Sequence, residues 1–385
     1  MKDLLIAGLV LGGLRRTGGD ATINRLVALL LCLAAISALH ATSVLSATYG
    51  FRNNFSPYLI LIFLPRLLNE ERIKFLTTAV ILTGEVVSAT AIFTNQFFGI
   101  SWLYLVGLAP SGSISLAPAT YFYDQRDQVR AFSPFVSPNT LATFTLLVVA
   151  TVFSRADWGK RRKIASLSLP LLAIWLSGSR SCLLGLVVIG LVLTTMSLST
   201  HRPTWRPSLI FILAVLSPIF ALIAADLLSL RNSSSNGHMS NFFTTVQQIY
   251  ASPMGIGLGQ VGSRAARHES TSAIAESYPL ALALEIGVLG CLVYLALMVY
   301  LALRLQSSTS PRSVVDSRKL GLLVLLSTAL PQIVLPIFQE PVIAIFTWTL
   351  ISIAMHGYAD STKQKNRFRP RSRRIVRTCE RGYAL

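Results

Sequence analysis

Apolar runs recur along almost the whole chain, broken by short polar and mostly basic stretches. A helix that spans a bilayer needs about 20 such residues. The pattern predicts spans over residues 25–46, 75–94, 137–154, 164–178, 181–198, 208–226, 279–303, 320–336 and 338–356, with a shorter one at 55–68. The first apolar run, Leu4 to Leu14, is too short to span comfortably. It resembles a signal-peptide core, but Arg15 and Arg16 stand where a small-residue cleavage site belongs, so it reads as a re-entrant or truncated first helix. The expected fold is all-α, a polytopic transmembrane helical bundle of about 10–12 spans with a long outer loop containing short helices.

Lysine and arginine set the orientation. The loops at 15–25, 66–74, 155–163, 201–206 and 304–319 and the tail from 357 alternate with the spans and hold 26 of the 34 basic residues. That side is expected to be cytoplasmic. The chain then divides into N-terminal helices with a first outer loop (1–136), central helices (137–226), a large periplasmic loop (227–278), C-terminal helices (279–356) and a basic cytoplasmic tail (357–385). The chain is expected to cross its membrane many times.

Composition narrows the classes further. The chain is 52% hydrophobic and 13% charged, and soluble domains carry roughly twice that charged share. The net charge of +18 would ordinarily raise nucleic acid as a partner, but the cations lie in loops and a tail without interleaved aromatics, so none is expected. Lys363 to Arg381 fits a solvated end held near anionic membrane lipid. Cys32, Cys182, Cys291 and Cys379 have neither disulfide-framework nor metal-ligand spacing.

The seven basic residues on the opposite side are Arg52, Arg126, Arg130, Arg180, Arg231, Arg264 and Arg267, with no lysine among them. Guanidinium forks bind phosphate bidentately and keep their charge. The bland explanation is that the pressure thinning outer cations left arginine by chance. Two outer loops, about 95–136 and about 227–278, are long enough to be functional. Both mix aromatics, arginines, carboxylates and glycine turns, a chemistry suited to a sugar phosphate. Gly257-Leu-Gly259-Gln-Val-Gly262 fits a dinucleotide pattern, but no strand precedes it. A turn bringing backbone close to a ligand or a helix end is the better reading. Between two spans, Gly178 should break a helix and leave Arg180 near the start of the next, itself an anion site.

Three stretches carry a resemblance: Arg130-Ala-Phe-Ser-Pro-Phe-Val-Ser-Pro-Asn139, Leu176-Ser-Gly-Ser-Arg180-Ser-Cys-Leu-Leu-Gly185, and Ser252-Pro-Met-Gly-Ile-Gly-Leu-Gly259 followed by Glu276-Ser-Tyr-Pro-Leu280 and Glu285-Ile-Gly-Val-Leu-Gly290. Together they resemble the bacterial O-antigen ligase and O-antigen polymerase superfamily. The resemblance implies a periplasmic-side glycosyltransferase acting on a polyprenyl-diphosphate-linked oligosaccharide, with no metal and no cofactor. Chain-length regulator and flippase proteins are further implied partners. Arg180 and Arg231 match arginines that hold the diphosphate, and Arg130 matches an upstream arginine. Glu276 stands where ligases of the family carry histidine; Glu-Ser is more frequent in polymerases, so O-antigen or exopolysaccharide polymerase is the expectation and ligase the alternative.

The residues expected to be catalytic are Glu276, Arg180 and Arg231, and those expected to bind substrate are Arg130, Arg264, His268, Tyr278 and Glu285. Plainer roles stand beside these. Glu276 is also a plausible helix cap, His268 a solvated loop residue, Tyr278 an interfacial anchor. Glu85 and Glu285 lie in apolar spans, where a carboxylate faces a partner or a wet cavity. The rival class is a transporter, with those carboxylates and the helix breakers Pro170, Pro218 and Pro331 as its signs. Against it, the polar residues gather on one face and no inverted repeat is evident.

Overall fold

The computed structural model describes residues 2–14, 19–99, 101–102, 129–135, 137–198, 233–262, 273, 275, 277–306 and 314–367. The described chain is mostly helical: α1 (Lys2–Leu14), α2 (Ala21–Ala38), α3 (Val44–Gly50), α4 (Leu59–Leu67), α5 (Glu70–Phe97), α6 (Pro138–Ser154), α7 (Lys160–Ser177), α8 (Arg180–Leu198), α9 (Ser233–Ala251), α10 (Tyr278–Gln306), α11 (Ser317–Val334) and α12 (Pro341–Arg367). A π-helical turn (Phe51–Phe55) and a 3-10 turn (Ser56–Tyr58) join α3 to α4. Among the described residues there are no strands, only two isolated bridges, Arg155 with Val315 and Val261 with Ala273. Three helices are long and apolar enough to cross a membrane by length and composition: α2, α5 and α10. Shorter apolar helices lie within α1, α6, α8 and α12. The expected span at 208–226 lies outside the described residues.

Caps explain where the helices depart from the apolar pattern. The apolar run at 25–46 is two helices. Asp20 starts α2 early by accepting the Thr22 and Ile23 N–H groups. The chain turns after Ala38, and Ser43 caps α3 by accepting the Ser46 N–H at 3.0 Å. Asn69 starts α5 ahead of its apolar stretch, accepting the Arg72 N–H at 2.9 Å. Glu70 and Glu71 then lie at the positive end of that helix, where carboxylates are favoured. The predicted 137–154, 181–198 and 279–303 agree with α6, α8 and α10 to within a few residues.

Helix α6 is the hub. Its residues Leu146 to Ala150 are all fully buried, and it packs on α5, α7, α8, α11 and α12. A helix that is apolar all round suits a position with neighbours on every side. Helix α10 packs on α2 and α11, and α12 on α4 and α11. Helix α1 lies along α4 and the turns before it, running in the same direction. Gly13 abuts Phe63 near one end, and Asp3 comes within 4.0 Å of Arg52 near the other.

Contacts also join loops that the charge pattern groups together. At one end Asp20 binds Tyr300 and Arg304, and the Asp316 N–H donates to Ser154 O. Arg155 is the largest cation buried there, 1% exposed. Its guanidinium donates to both Asp157 oxygens, at 2.8 and 2.7 Å, and to the Thr77 and Thr78 hydroxyls, at 2.9 Å each. It therefore clasps α5, the α6–α7 connection and the start of α11.

Removing a buried cation that satisfies this many acceptors should be costly. We expect Arg155→Met to lower stability by about 2–3 kcal/mol, measured by denaturant titration in detergent micelles. The hydrogen bonds from Arg155 hold the Asp157 carboxyl below its ordinary range. Its contribution is complete above the unfolded carboxylate value of about 4 and drains away as pH falls through the lower folded value. Asp157→Asn should therefore flatten the acid limb of the stability profile below about pH 4; an unchanged acid limb would contradict this.

Candidate functional site

The opposite end of the helices is built around a break in α10. Residues Ile286 and Gly287 leave the helical conformation, with Gly287 at φ 81° and ψ 169°. That backbone region is essentially confined to glycine. Residues 252–262 pack into the break. The Val288 N–H donates to Pro253 O at 2.9 Å, and the Ile256 N–H donates to Leu284 O at 2.7 Å. A Cβ on Gly287 would lie 2.8 Å from the Met254 backbone. A Cβ on Gly259 would lie 2.1 Å from Ser46 O, so this glycine lets the loop reach α3. The glycine run thus marks close backbone approach to helix ends.

Glu285 sits beside the break, 1% exposed. Asn54, in the π-helical turn, donates its Nδ2 to both carboxylate oxygens at 3.0 and 2.8 Å. The Gly259 N–H also donates to this carboxylate. The Ser37 hydroxyl donates to the Glu285 carbonyl from the last turn of α2. Next to this cluster Tyr58 and Tyr278 share a hydroxyl–hydroxyl bond of 3.0 Å, and Tyr294 donates to Gln332. Tyr58, Tyr278, Phe338 and Trp348 pack ring against ring, with centroids 4.9–5.2 Å apart in the pairs that include Trp348 or join Tyr278 to Phe338.

A second polar turn lies between α7 and α8. Gly178 ends α7 in the left-handed region, φ 60°, and α8 begins at Arg180. Arg130 reaches this turn from a separate segment: its Nε donates to Ser177 O at 2.7 Å and its Nη2 to Asn139 at 3.1 Å. The Ala131 N–H adds a bond of 2.9 Å to Leu176 O. Arg180 is exposed, at the N-terminus of α8, with Ser179 and Ser181 hydroxyls 3.3 Å from each other. The Arg130 guanidinium is thus fixed against the turn from which Arg180 starts α8. In an apolar setting such a place favours an anion.

The predicted site residues fall into three groups. Arg130 and Arg180 come together at the α7–α8 turn. Glu285 and Tyr278 are buried in the helix packing, with Asn54 and Tyr58 as their partners. Arg231, Arg264, His268 and Glu276 lie outside the described residues. Sequence reasoning missed Asn54, Ser37 and Gln332. The only signal for the first was Asn53-Asn54 at the edge of an apolar run. Compared with known proteins, the chain matches no family model and no curated sequence.

The break should not tolerate a side chain. We expect Gly287→Ala to weaken docking of residues 252–262 by about 2 kcal/mol. The Ile256 and Leu258 amides would then exchange hydrogen about thirtyfold faster, with membrane insertion unchanged. Exchange rates equal to those of the parent protein would show that the glycine is not what holds the loop.

Proposed function

We propose that the chain is a membrane glycosyltransferase that polymerises polyprenyl-diphosphate-linked oligosaccharide repeat units, of O-antigen or exopolysaccharide, on the periplasmic face of a bacterial inner membrane. The reading includes a polytopic bundle of 10–12 spans, of which α2, α5 and α10 are the clearest. The observation that carries it is the bond from Arg130 to the α7–α8 turn, from which Arg180 starts α8. A hydroxyl of one lipid-linked unit attacks the anomeric carbon of another. The glycosyl–phosphate bond breaks, and polyprenyl diphosphate leaves with the bonding electrons. Fixed guanidinium groups stabilise the charge that develops on it, an effect worth several kcal/mol in a water-poor site. Arg180 and Arg231 fill this role in the proposal, with Arg130 holding the turn. Glu276 takes the proton from the attacking hydroxyl. Arg264 and His268 contact the glycan. Tyr278 and Glu285 act through the packing that sets the loop on α10.

One observation favours the transporter reading, namely a helix broken beside a buried carboxylate. Here the break is filled by residues 253–255 and the carboxylate is bonded by Asn54 and Gly259, which leaves the pair as a fastening for the outer loop. Glu276 in place of the ligase histidine favours polymerase over ligase.

Arg180→Lys keeps the charge and loses the fork. It should abolish polymer growth in a strain lacking the native gene while the protein still inserts in the membrane. Normal-length polymer from that variant would sink the bidentate role. Arg130→Lys cannot bond Ser177 O and Asn139 together and should slow polymer growth about tenfold. Product analysis after deletion separates the two activities. Single repeat units on the lipid A core mean a lost polymerase, and polymer accumulating on polyprenyl diphosphate means a lost ligase.

A further inference from the structure

The basic end of the helices carries a second concentration of charge that the glycosyl-transfer reading does not use. The α6–α7 connection and the start of α11 are laced together. The Ala156 N–H donates to Val314 O at 3.0 Å, the Asp316 N–H donates to Ser154 O at 2.9 Å, and Arg155 bridges to Val315. Residues 155–163 and 316–319 flank this lacing and hold seven cations, Arg155, Lys160, Arg161, Arg162, Lys163, Arg318 and Lys319, against two carboxylates. Both carboxylates are engaged: Asp157 by Arg155, and Asp316 by capping the Lys319 N–H. The surplus is therefore not neutralised among these residues.

Helix polarity makes the surplus worse. Helix α7 is preceded by Gly159, which offers no side-chain cap, and its first turn contains no acidic residue. Instead Lys160, Arg161, Arg162 and Lys163 stand in succession at the positive end of the helix dipole. Cations there are unfavourable, whereas an anion is favoured. Lys163 and Lys319 face one another across the two helix starts. Burial depresses the pKa of each, and for Lys163 the charge of Lys319 adds to this.

Two buried donors, one in the α6–α7 connection and one in the first turn of α11, have no acceptor among the described residues. One is the indole N–H of Trp158, a residue 7% exposed, and the other is Nε of Arg318. Buried donors without an acceptor are costly and rare. Arg162 lies over the Trp158 ring at 4.0 Å, and Arg155 at 4.9 Å. The tryptophan thus connects the buried clasp to the exposed cations of α7. Excess cations, an uncapped helix start and donors lacking acceptors all call for a phosphate oxygen.

We propose that Trp158, Arg162, Lys163, Arg318 and Lys319 form a phosphate-binding site at the basic end, whose ligand is the phosphodiester headgroup of an acidic phospholipid or a free phosphate. The site lies at the starts of α7 and α11, where apolar helix meets polar loop, and a tryptophan beside cations suits that boundary. A ligand there stabilises the closed pairing of 154–156 with 314–316.

The test uses the intact chain in detergent micelles, with bound molecules counted by native mass spectrometry. Phosphatidylglycerol, phosphatidylcholine and inorganic phosphate are titrated separately. The parent protein should retain phosphatidylglycerol or inorganic phosphate in preference to phosphatidylcholine. Retention of phosphatidylglycerol undisplaced by inorganic phosphate identifies a lipid site, and saturable inorganic phosphate that competes with it identifies a free-phosphate site. Arg162→Gln and Lys319→Gln should each weaken the preferred ligand about tenfold. Arg25→Gln, an equal loss of charge at another exposed position near this end, should leave it unchanged. Trp158→Phe retains the ring, removes the N–H and should weaken binding without unfolding the chain. Equal retention of phosphatidylglycerol and phosphatidylcholine, with no saturable inorganic phosphate, overturns the proposal. So does equal weakening by Arg25→Gln.

Discussion

One carboxylate, buried where the longest helix breaks, ties four distant stretches of chain together. Glu285 belongs to α10, its side-chain partners come from the turn before α4 and from the glycine loop, and its carbonyl holds the end of α2. A group of this kind is costly in an apolar interior unless its lone pairs are met. Meeting them requires the loop and the π-helical turn both to be in place, while the backbone carbonyl of the same residue takes in the end of α2. The charge therefore acts as a condition on the fold: the loop that carries the proposed acceptor chemistry cannot settle elsewhere without leaving the carboxylate bare.

Arg155 imposes the same condition at the other end. It uses nearly all its donors on groups from α5 and the α6–α7 connection, while its backbone pairs with Val315. Between these two fastenings stands α6, apolar on all sides, which needs neighbours but does not specify them. Specificity in this fold sits in a few polar contacts at the helix ends, and the bulk of the burial lies in the aliphatic middle. That division suits a chain whose helix surfaces are nearly interchangeable in hydrophobicity.

Helix positions were legible because apolar runs and their flanking caps are local. The starts of α6, α8 and α10 follow from Ser137-Pro138, Gly178 and Tyr278-Pro279. The run at 25–46 misled because composition stays apolar through the turn after Ala38; only His40, Thr42 and Ser43 mark it. The glycine run was read as a place of close backbone approach, and its geometry is of that kind. Glu285 was noticed as a costly charge, but Asn54, 231 residues earlier, has no signature that pairs it with anything. Arg155 was counted with the other loop cations that set the orientation, because sequence spacing does not distinguish the buried member of a basic loop from its exposed neighbours. Arg130 and Arg180 could be named from the sequence; that they share one turn needed coordinates.

The Arg155 clasp also bears on biogenesis. Its partners in α5 and at Asp157 are made early, but Val315, with which it pairs, emerges from the ribosome some 160 residues later. Throughout that interval the α6–α7 hairpin has an unclosed edge on its basic side. The late helices are therefore more than additions to a finished bundle: until α11 arrives, the early ones lack the partner that seals them. A nascent chain truncated before residue 315 would present quality-control proteases with a polar seam that the complete protein conceals.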